Sequence, residues 1–257
     1  ALLKNTSEGL SVIAYGLDWQ AGDNVIIATE EFPSNRIVWE SLASKGVSVQ
    51  LVELRGATNP EQLLINRINS RTRLLSISGV QYASGLRMDL QHLGDACQSH
   101  KILFCVDAIQ QLGAIQFDAR AIHADFVVAD GHKWMLGPEG LALFYCRREL
   151  LPQLKLQQFG WHMVEDFTDF NKMDQWQPAH SARRFECGSP NLLAAHALHA
   201  SLGLLLETGM ANIEQQVLAK VQKLITLFSG IHGVTILSPT HSPRHAGIFT
   251  FTIGAAD

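Results

Sequence analysis

Two short hydrophobic runs each break off on an acid: residues 102–106 (ILFCV) stop at Asp107, and the run DFVVA, residues 125–129, stops at Asp130. A strand buried on both faces has no polar side to show, so it reads as an unbroken apolar stretch and not as an alternation. Such strands belong to parallel sheets wrapped by helices, where ligands gather outside the carboxyl ends of the strands. Further strands read at residues 24–29, 47–52, 74–80 and 141–146. Helices read at 8–17, 34–45, from Pro60 behind an Asn59 cap, and 90–100. The alternation predicts an α/β fold, a mainly parallel sheet flanked by helices. With 257 residues, 47% hydrophobic and 17% charged, the chain is long enough for a large core of that kind.

The texture changes after Leu154. Residues 156–184 are aromatic, polar and poorly periodic, as expected of a loop facing an active site or a second subunit. Helices follow at 191–207 and 212–229, the second with an apolar stripe of Ile213, Val217, Val221, Leu224 and Phe228 read as core. Strands at 234–237 and 247–253 read as the start of an incomplete smaller α+β domain. The division expected is a large domain over residues 1–180 and an interface segment with the start of the small domain over 181–257.

Several function classes lose support. A net charge of −4 without a basic run argues against nucleic-acid binding. The longest apolar stretch, residues 192–206, is broken by His196, His199 and Ser201 and is too short to span a bilayer, and the first residues lack the regions of a secretory signal. The cytoplasm is the expected location. No GxGxxG follows a strand and no GxxxxGK[ST] loop occurs. The cysteines, Cys97, Cys105, Cys146 and Cys187, lack CxxC spacing and read as free thiols. His196 and His199 have helical i, i+3 spacing without a carboxylate beside them, so no metal site is expected.

The segment DGHKWMLG, Asp130 to Gly137, carries the chemistry. A lysine between a core strand and a Gly-Pro turn is favoured as the neutral amine, the form that condenses with a carbonyl to a Schiff base. Asp107, on the neighbouring strand, has two readings: a carboxylate facing a pyridinium nitrogen, or an N-cap for AIQQLG.

With DAIQ (Asp107 to Gln110), the chain resembles the class V aminotransferase family of pyridoxal-phosphate enzymes, which includes cysteine desulfurases, selenocysteine lyases and isopenicillin-epimerase-like proteins. The resemblance extends over nearly the whole chain, through NTSEG (Asn5 to Gly9), GLDWQAGDNVI, EEFPSN (Glu30 to Asn35) and RFECGSPN (Arg184 to Asn191). It implies the fold type I architecture of pyridoxal-phosphate-dependent transferases and pyridoxal 5'-phosphate as cofactor. Lys133 becomes the Schiff-base lysine, Asp107 the partner of the pyridine nitrogen, and Gln110 a hydrogen-bond partner of the phenolic oxygen. His132 would lie near the phosphate. Thr6 and Ser7 would supply hydroxyls and N–H groups at a helix start, a natural anion site. Ser189 would reach the phosphate of the neighbouring subunit, which implies a homodimer with shared sites. Tyr82 and Asn35 are expected on the substrate side.

Four positions depart from the desulfurase pattern. Phe32 stands where relatives carry a histidine, and a phenyl ring can stack but cannot exchange a proton. Asp130 replaces a phosphate-binding serine and is expected to point elsewhere or to be offset by His132. Tyr82 replaces an asparagine, and Ser189 a threonine. The chain opens directly on the phosphate block and stops before the region of the family's carboxylate-binding arginine and catalytic cysteine, so it reads as shortened at both ends, a fragment or a natural short relative. The expected function is that of an aminotransferase acting on an amino acid, with cysteine desulfurase or selenocysteine lyase activity, and a non-catalytic scaffold, as alternatives.

Overall fold

The unbroken apolar runs do form the centre of a sheet. In the computed structural model, which describes residues 1–254, nine strands and six α-helices are found among the described residues. Strands β1 (Leu2–Leu3), β2 (Asn24–Ala28), β3 (Ser48–Val52), β4 (Thr72–Ser78), β5 (Leu103–Asp107), β6 (Phe126–Asp130) and β7 (Ala142–Cys146) make one sheet in the order β1-β7-β6-β5-β4-β2-β3. The five strands from β3 to β6 are parallel, and β7 and β1 close one edge antiparallel. All residues of β2 and β6 are buried, whereas the edge strand β3 is half exposed, which is why β3 alternates in sequence and the others do not.

Helices cover both faces. α1 (Thr6–Gly16) and α2 (Ser34–Glu40) pack one face through Leu10, Ile13 and Trp39; α3 (Pro60–Ile65) and α4 (Leu90–His100) pack the other through Leu64, Leu93 and Cys97. Asn5, Asn59 and Asp89 cap α1, α3 and α4 through side-chain oxygens, satisfying first-turn N–H groups. Gly9 is required where it stands. A Cβ there would lie 2.7 Å from Val128 Cγ1, so its absence lets α1 press onto β6 and brings the start of α1 against Asp130. Beyond the sheet come α5 (Leu192–Thr208), α6 (Met210–Ser229) and a hairpin of β8 (Val234–Ile236) with β9 (Phe251–Ile253).

Several expectations need correction. β1 was not anticipated, being a two-residue strand whose pairing with β7 no local pattern announces. The helix expected at 34–45 ends as α at Glu40 and continues as 3₁₀ over Ser41–Lys45. The strand expected at 247–253 shrinks to β9. AIQQLG is a run of turns and not a helix, so Asp107 caps none; its Oδ1 accepts the Ile109 N–H at 3.0 Å in a local turn. On α6 the buried residues are Val221 and Ile225, while Leu224 is 36% exposed, so the buried stripe lies one residue round the helix. The segment 156–184 contains three short 3₁₀ turns, stitched by Arg183, whose guanidinium donates to the carbonyls of His162, Val164 and Glu165. No single helix among the described residues is long and apolar enough to cross a membrane, although α5 and α6, bent by 82°, pass that test of length and composition as a pair.

Candidate active site

The site lies at the carboxyl ends of β4, β5 and β6, where the parallel strands hand over to turns. Asp107 is the last residue of β5 and only 2% exposed. Burial pushes its proton affinity up, to a pKa of about 7; the charge of Glu31 adds to the rise, while the Ile109 N–H and the Lys133 ammonium oppose it. Its Oδ1 accepts from Ile109, and Oδ2 accepts no hydrogen bond among the described residues. A buried acid with one oxygen open fits a protonated ring nitrogen.

Lys133 stands in the turn after β6 and is half-buried, not enclosed as expected. Its Nζ lies 5.7 Å from the centroid of the Phe32 ring, which meets Tyr82 edge to face at 5.2 Å. Both rings are partly open, at 44% and 42% exposure. The structure thus brings Lys133, Asp107, Phe32 and Tyr82 to one end of the sheet. Gln110 joins them through its neighbour: Trp134 Nε1 donates to Gln110 Oε1 at 3.2 Å, which leaves the Gln110 amide N–H groups without a partner among the described residues. Gly113, at φ +96°, allows this approach, since a Cβ there would lie 2.2 Å from the Trp134 carbonyl oxygen. On its other side Trp134 packs with Leu218 and Ile248 around a small cluster of Val80, Ala114, Ile115 and Ala246, and a Cβ on Gly247 would strike its ring at 2.5 Å.

At the start of α1, Thr6 is buried and Ser7 exposed, the Ser7 hydroxyl donating to Ser34 Oγ at 2.8 Å. Asp130 points at this helix end. Its Oδ2 accepts the Thr6 N–H at 3.2 Å, its own N–H donates to Thr6 Oγ1 at 3.1 Å, and its Oδ1 is buried without a partner. The carboxylate is therefore held by Thr6 and not offset by His132, which is half-buried and makes no hydrogen bond among the described residues. The ring and amine ends of the site suit pyridoxal phosphate. At the phosphate end the Thr6 N–H is already taken by Asp130 and the Glu8 N–H by Asn5, beside one acid more than an anion would favour.

One expected site residue lies elsewhere. Asn35 is not on a substrate side: it is fully buried, donating to Glu31 and accepting from Trp39 Nε1 and Ser76 Oγ. As the second residue of α2 it faces inward, toward β4. Ser189 is exposed in the loop before α5, beside a cleft lined by Leu3, Lys4 and Gly140, and makes no hydrogen bond to the Lys133 group. Cys97, Cys105 and Cys146 are buried free thiols; burial pushes Cys97 and Cys146 up to about 12 and raises Cys105 as well. Cys187 is partly exposed, its Sγ donating to Gln158 Oε1 at 3.2 Å. His196 and His199 are both exposed, and no group of three metal-ligating side chains occurs among the described residues. Glu31 was passed over in the sequence, although EEFPSN places an acid directly before the ring residue at the end of an apolar strand.

Lys133, in the turn after β6, and buried Asp107, at the end of β5, thus lie together at the carboxyl end of a mostly parallel α/β sheet, where such folds bind their ligands. The family model for aminotransferase class-V matches residues 2–257, and the chain belongs to that family. Among its relatives is a probable cysteine desulfurase of Methanothermobacter thermautotrophicus, 30% identical over 257 residues, covering 99% of this chain and 62% of the relative. The apo structure of a cysteine desulfurase from Thermococcus onnurineus superposes with a TM-score of 0.88 at 27% identity, covering 100% of this chain and 64% of that one. A mutant of C-DES with glycine covalently linked to its PLP cofactor shares the fold, at 22% identity and a TM-score of 0.89, over 98% of this chain and 67% of that one. The chain thus has the fold type I architecture, and it spans a little under two thirds of the first two relatives' length.

Proposed function

We propose that this chain is part of a pyridoxal-phosphate-dependent enzyme that acts on an amino acid, with aminotransferase chemistry. The observation that carries the reading is the placement of Lys133, in the turn after β6, and buried Asp107, at the end of β5, beside the open Phe32 and Tyr82 rings. When bound, the cofactor supplies an aldehyde that takes up an amine and an electron-poor ring that accepts carbanion charge. Lys133 would supply the amine and the base that moves a proton at the substrate Cα; such transfer contributes on the order of 10² to 10⁴ in rate. Asp107 holds the proton of the ring nitrogen. Phe32 covers one ring face, Gln110 offers an amide donor to the phenolic oxygen, and Thr6, Ser7 and His132 line the phosphate end. Tyr82 stands on the substrate side. The large domain is assigned to residues 1–180. Ser189 acts across a homodimer interface, and the protein works in the cytoplasm.

A second reading is C–S or C–Se cleavage, favoured by the relatives named cysteine desulfurase and opposed by Phe32, which cannot transfer a proton as an imidazole can. Pyridoxal phosphate added to the purified chain should give a visible absorption band and a borohydride-reducible adduct, both lost in Lys133→Ala. An adduct retained on Lys133→Ala overturns the assignment, and a chain that stays colourless points to the scaffold alternative. Keto acid released from an amino acid supports transamination; alanine with persulfide from cysteine selects the second reading.

A further inference from the structure

The residue that ties both rings to the buried acid is Glu31. Its carboxylate is 5% exposed. Oε1 accepts the Ser78 N–H and Gln81 Nε2, both at 2.8 Å, and Oε2 accepts Asn35 Nδ2 at 2.9 Å and the Ser78 hydroxyl. A backbone N–H can only donate. Asn35 has no freedom either, because its Oδ1 receives the Trp39 indole N–H at 2.9 Å, which turns its NH₂ toward Glu31. Burial pushes the proton affinity of Glu31 up, and the fixed donors facing each oxygen oppose that rise.

The segments gripped here are those that carry the site. Phe32 follows Glu31, Tyr82 follows Gln81, and Ser78 is the register partner of Asp107 across β4 and β5. We propose that Glu31 is a positioning residue: one buried carboxylate fixes Phe32 and Tyr82 edge to face beside Lys133 and sets a second negative charge behind Asp107. The identity of the ligand rests on the proposed function; the clamp itself does not. The other titratable groups around this pair are Lys133, which draws the Asp107 proton off, Asp130, which helps retain it, and the buried Cys105 thiol.

The test uses the whole chain carrying ¹³C-labelled aspartate and fluorotyrosine, without added cofactor. Three tyrosines make the fluorine spectrum simple, and Tyr82→Phe identifies one line. In Glu31→Gln the titration midpoint of Asp107 should fall by about one pH unit, and the Tyr82 line should move toward its solvent-exposed position while the other two stay. If Glu31→Gln does not fold, Ser78→Ala, which removes one donor and weakens the anion, should shift both signals the same way by less. With pyridoxal phosphate bound, Glu31→Gln should shift the pH midpoint of the visible band, and should not when Asp107→Asn is already present. An unmoved Asp107 midpoint or Tyr82 line in a folded variant, or an equal band shift in both backgrounds, overturns the proposal. Failure of the wild-type chain to take up the cofactor would sink the proposed function and leave the two cofactor-free signals to decide on Glu31.

Discussion

Thr6 and Asp130, 124 positions apart in the chain, hold each other by two hydrogen bonds that run in opposite directions, backbone N–H to hydroxyl and backbone N–H to carboxylate. The pair welds the start of α1 to the end of β6. It also places a fixed negative charge at the positive end of a helix, where an anionic ligand has to compete with it. Asp130→Ser keeps a polar group and removes the charge. Inorganic phosphate and pyridoxal phosphate should then bind about tenfold tighter, as expected for relief of one like-charge contact near a protein surface. Calorimetric titration of both variants checks this, and unchanged or weaker binding would speak against a ligand phosphate at this helix end.

Asp107 predicts an acid-side stability effect in the chain without added cofactor. Its pKa is about 7 folded against an ordinary 3.8, so between those values the folded chain binds the extra proton and stability falls as pH rises. The penalty is absent below about pH 4 and complete above about pH 7. Asp107→Asn removes it, so the variant should gain on the wild type across that window, by on the order of 4 kcal/mol at its upper end. Urea unfolding at pH 5 and pH 8 measures the difference; a gain that shrinks toward high pH would contradict the assignment.

Glu61 on α3 is completely buried and receives Arg244 through both terminal nitrogens, at 2.5 and 2.8 Å, as well as the Asp89 N–H. Arg244→Met leaves that carboxylate without its counter-charge and should cost about 3–5 kcal/mol. Adding Glu61→Gln to it should recover much of the loss, since an amide has no charge to strand. Denaturant midpoints of the two variants distinguish a true charge pair from simple packing.

On α6 the prediction is a contrast between neighbours. Ile225 is 5% exposed and Leu224 36% exposed. Ile225→Ala should destabilise by about 2–5 kcal/mol, and Leu224→Ala by well under half of that. Thermal melts suffice. The sequence points to the wrong member of the pair because residues 224 and 225 are both aliphatic, and periodicity alone cannot say which side of a two-residue-wide stripe meets the core.

The same logic separates what the residues announce from what they conceal. Strands β5 and β6 were readable because burial leaves no polar residue in them before the closing aspartate, and α3 and α4 because Asn59, Pro60 and Asp89 mark their starts by local chemistry. Lys133 and Asp107 stood out in the sequence because Asp107 ends one such strand and Lys133 follows the other closely. Asn35 misled because a polar residue near a ring-bearing loop looks available, whereas Trp39 and Ser76 consume its carbonyl oxygen in the core. Glu31 and the Thr6–Asp130 pair were hidden for a related reason: their meaning lies in hydrogen bonds between distant segments, which neither spacing nor propensity records.

The indole that follows the lysine is wedged between two bodies, bonded to Gln110 on one side and seated against Gly247 and Ile248 on the other. The stretch around residue 247 thus packs directly on the side chain next to Lys133, so any added bulk at Gly247 meets the indole, 2.5 Å from where its Cβ would sit, before it meets anything else of the site.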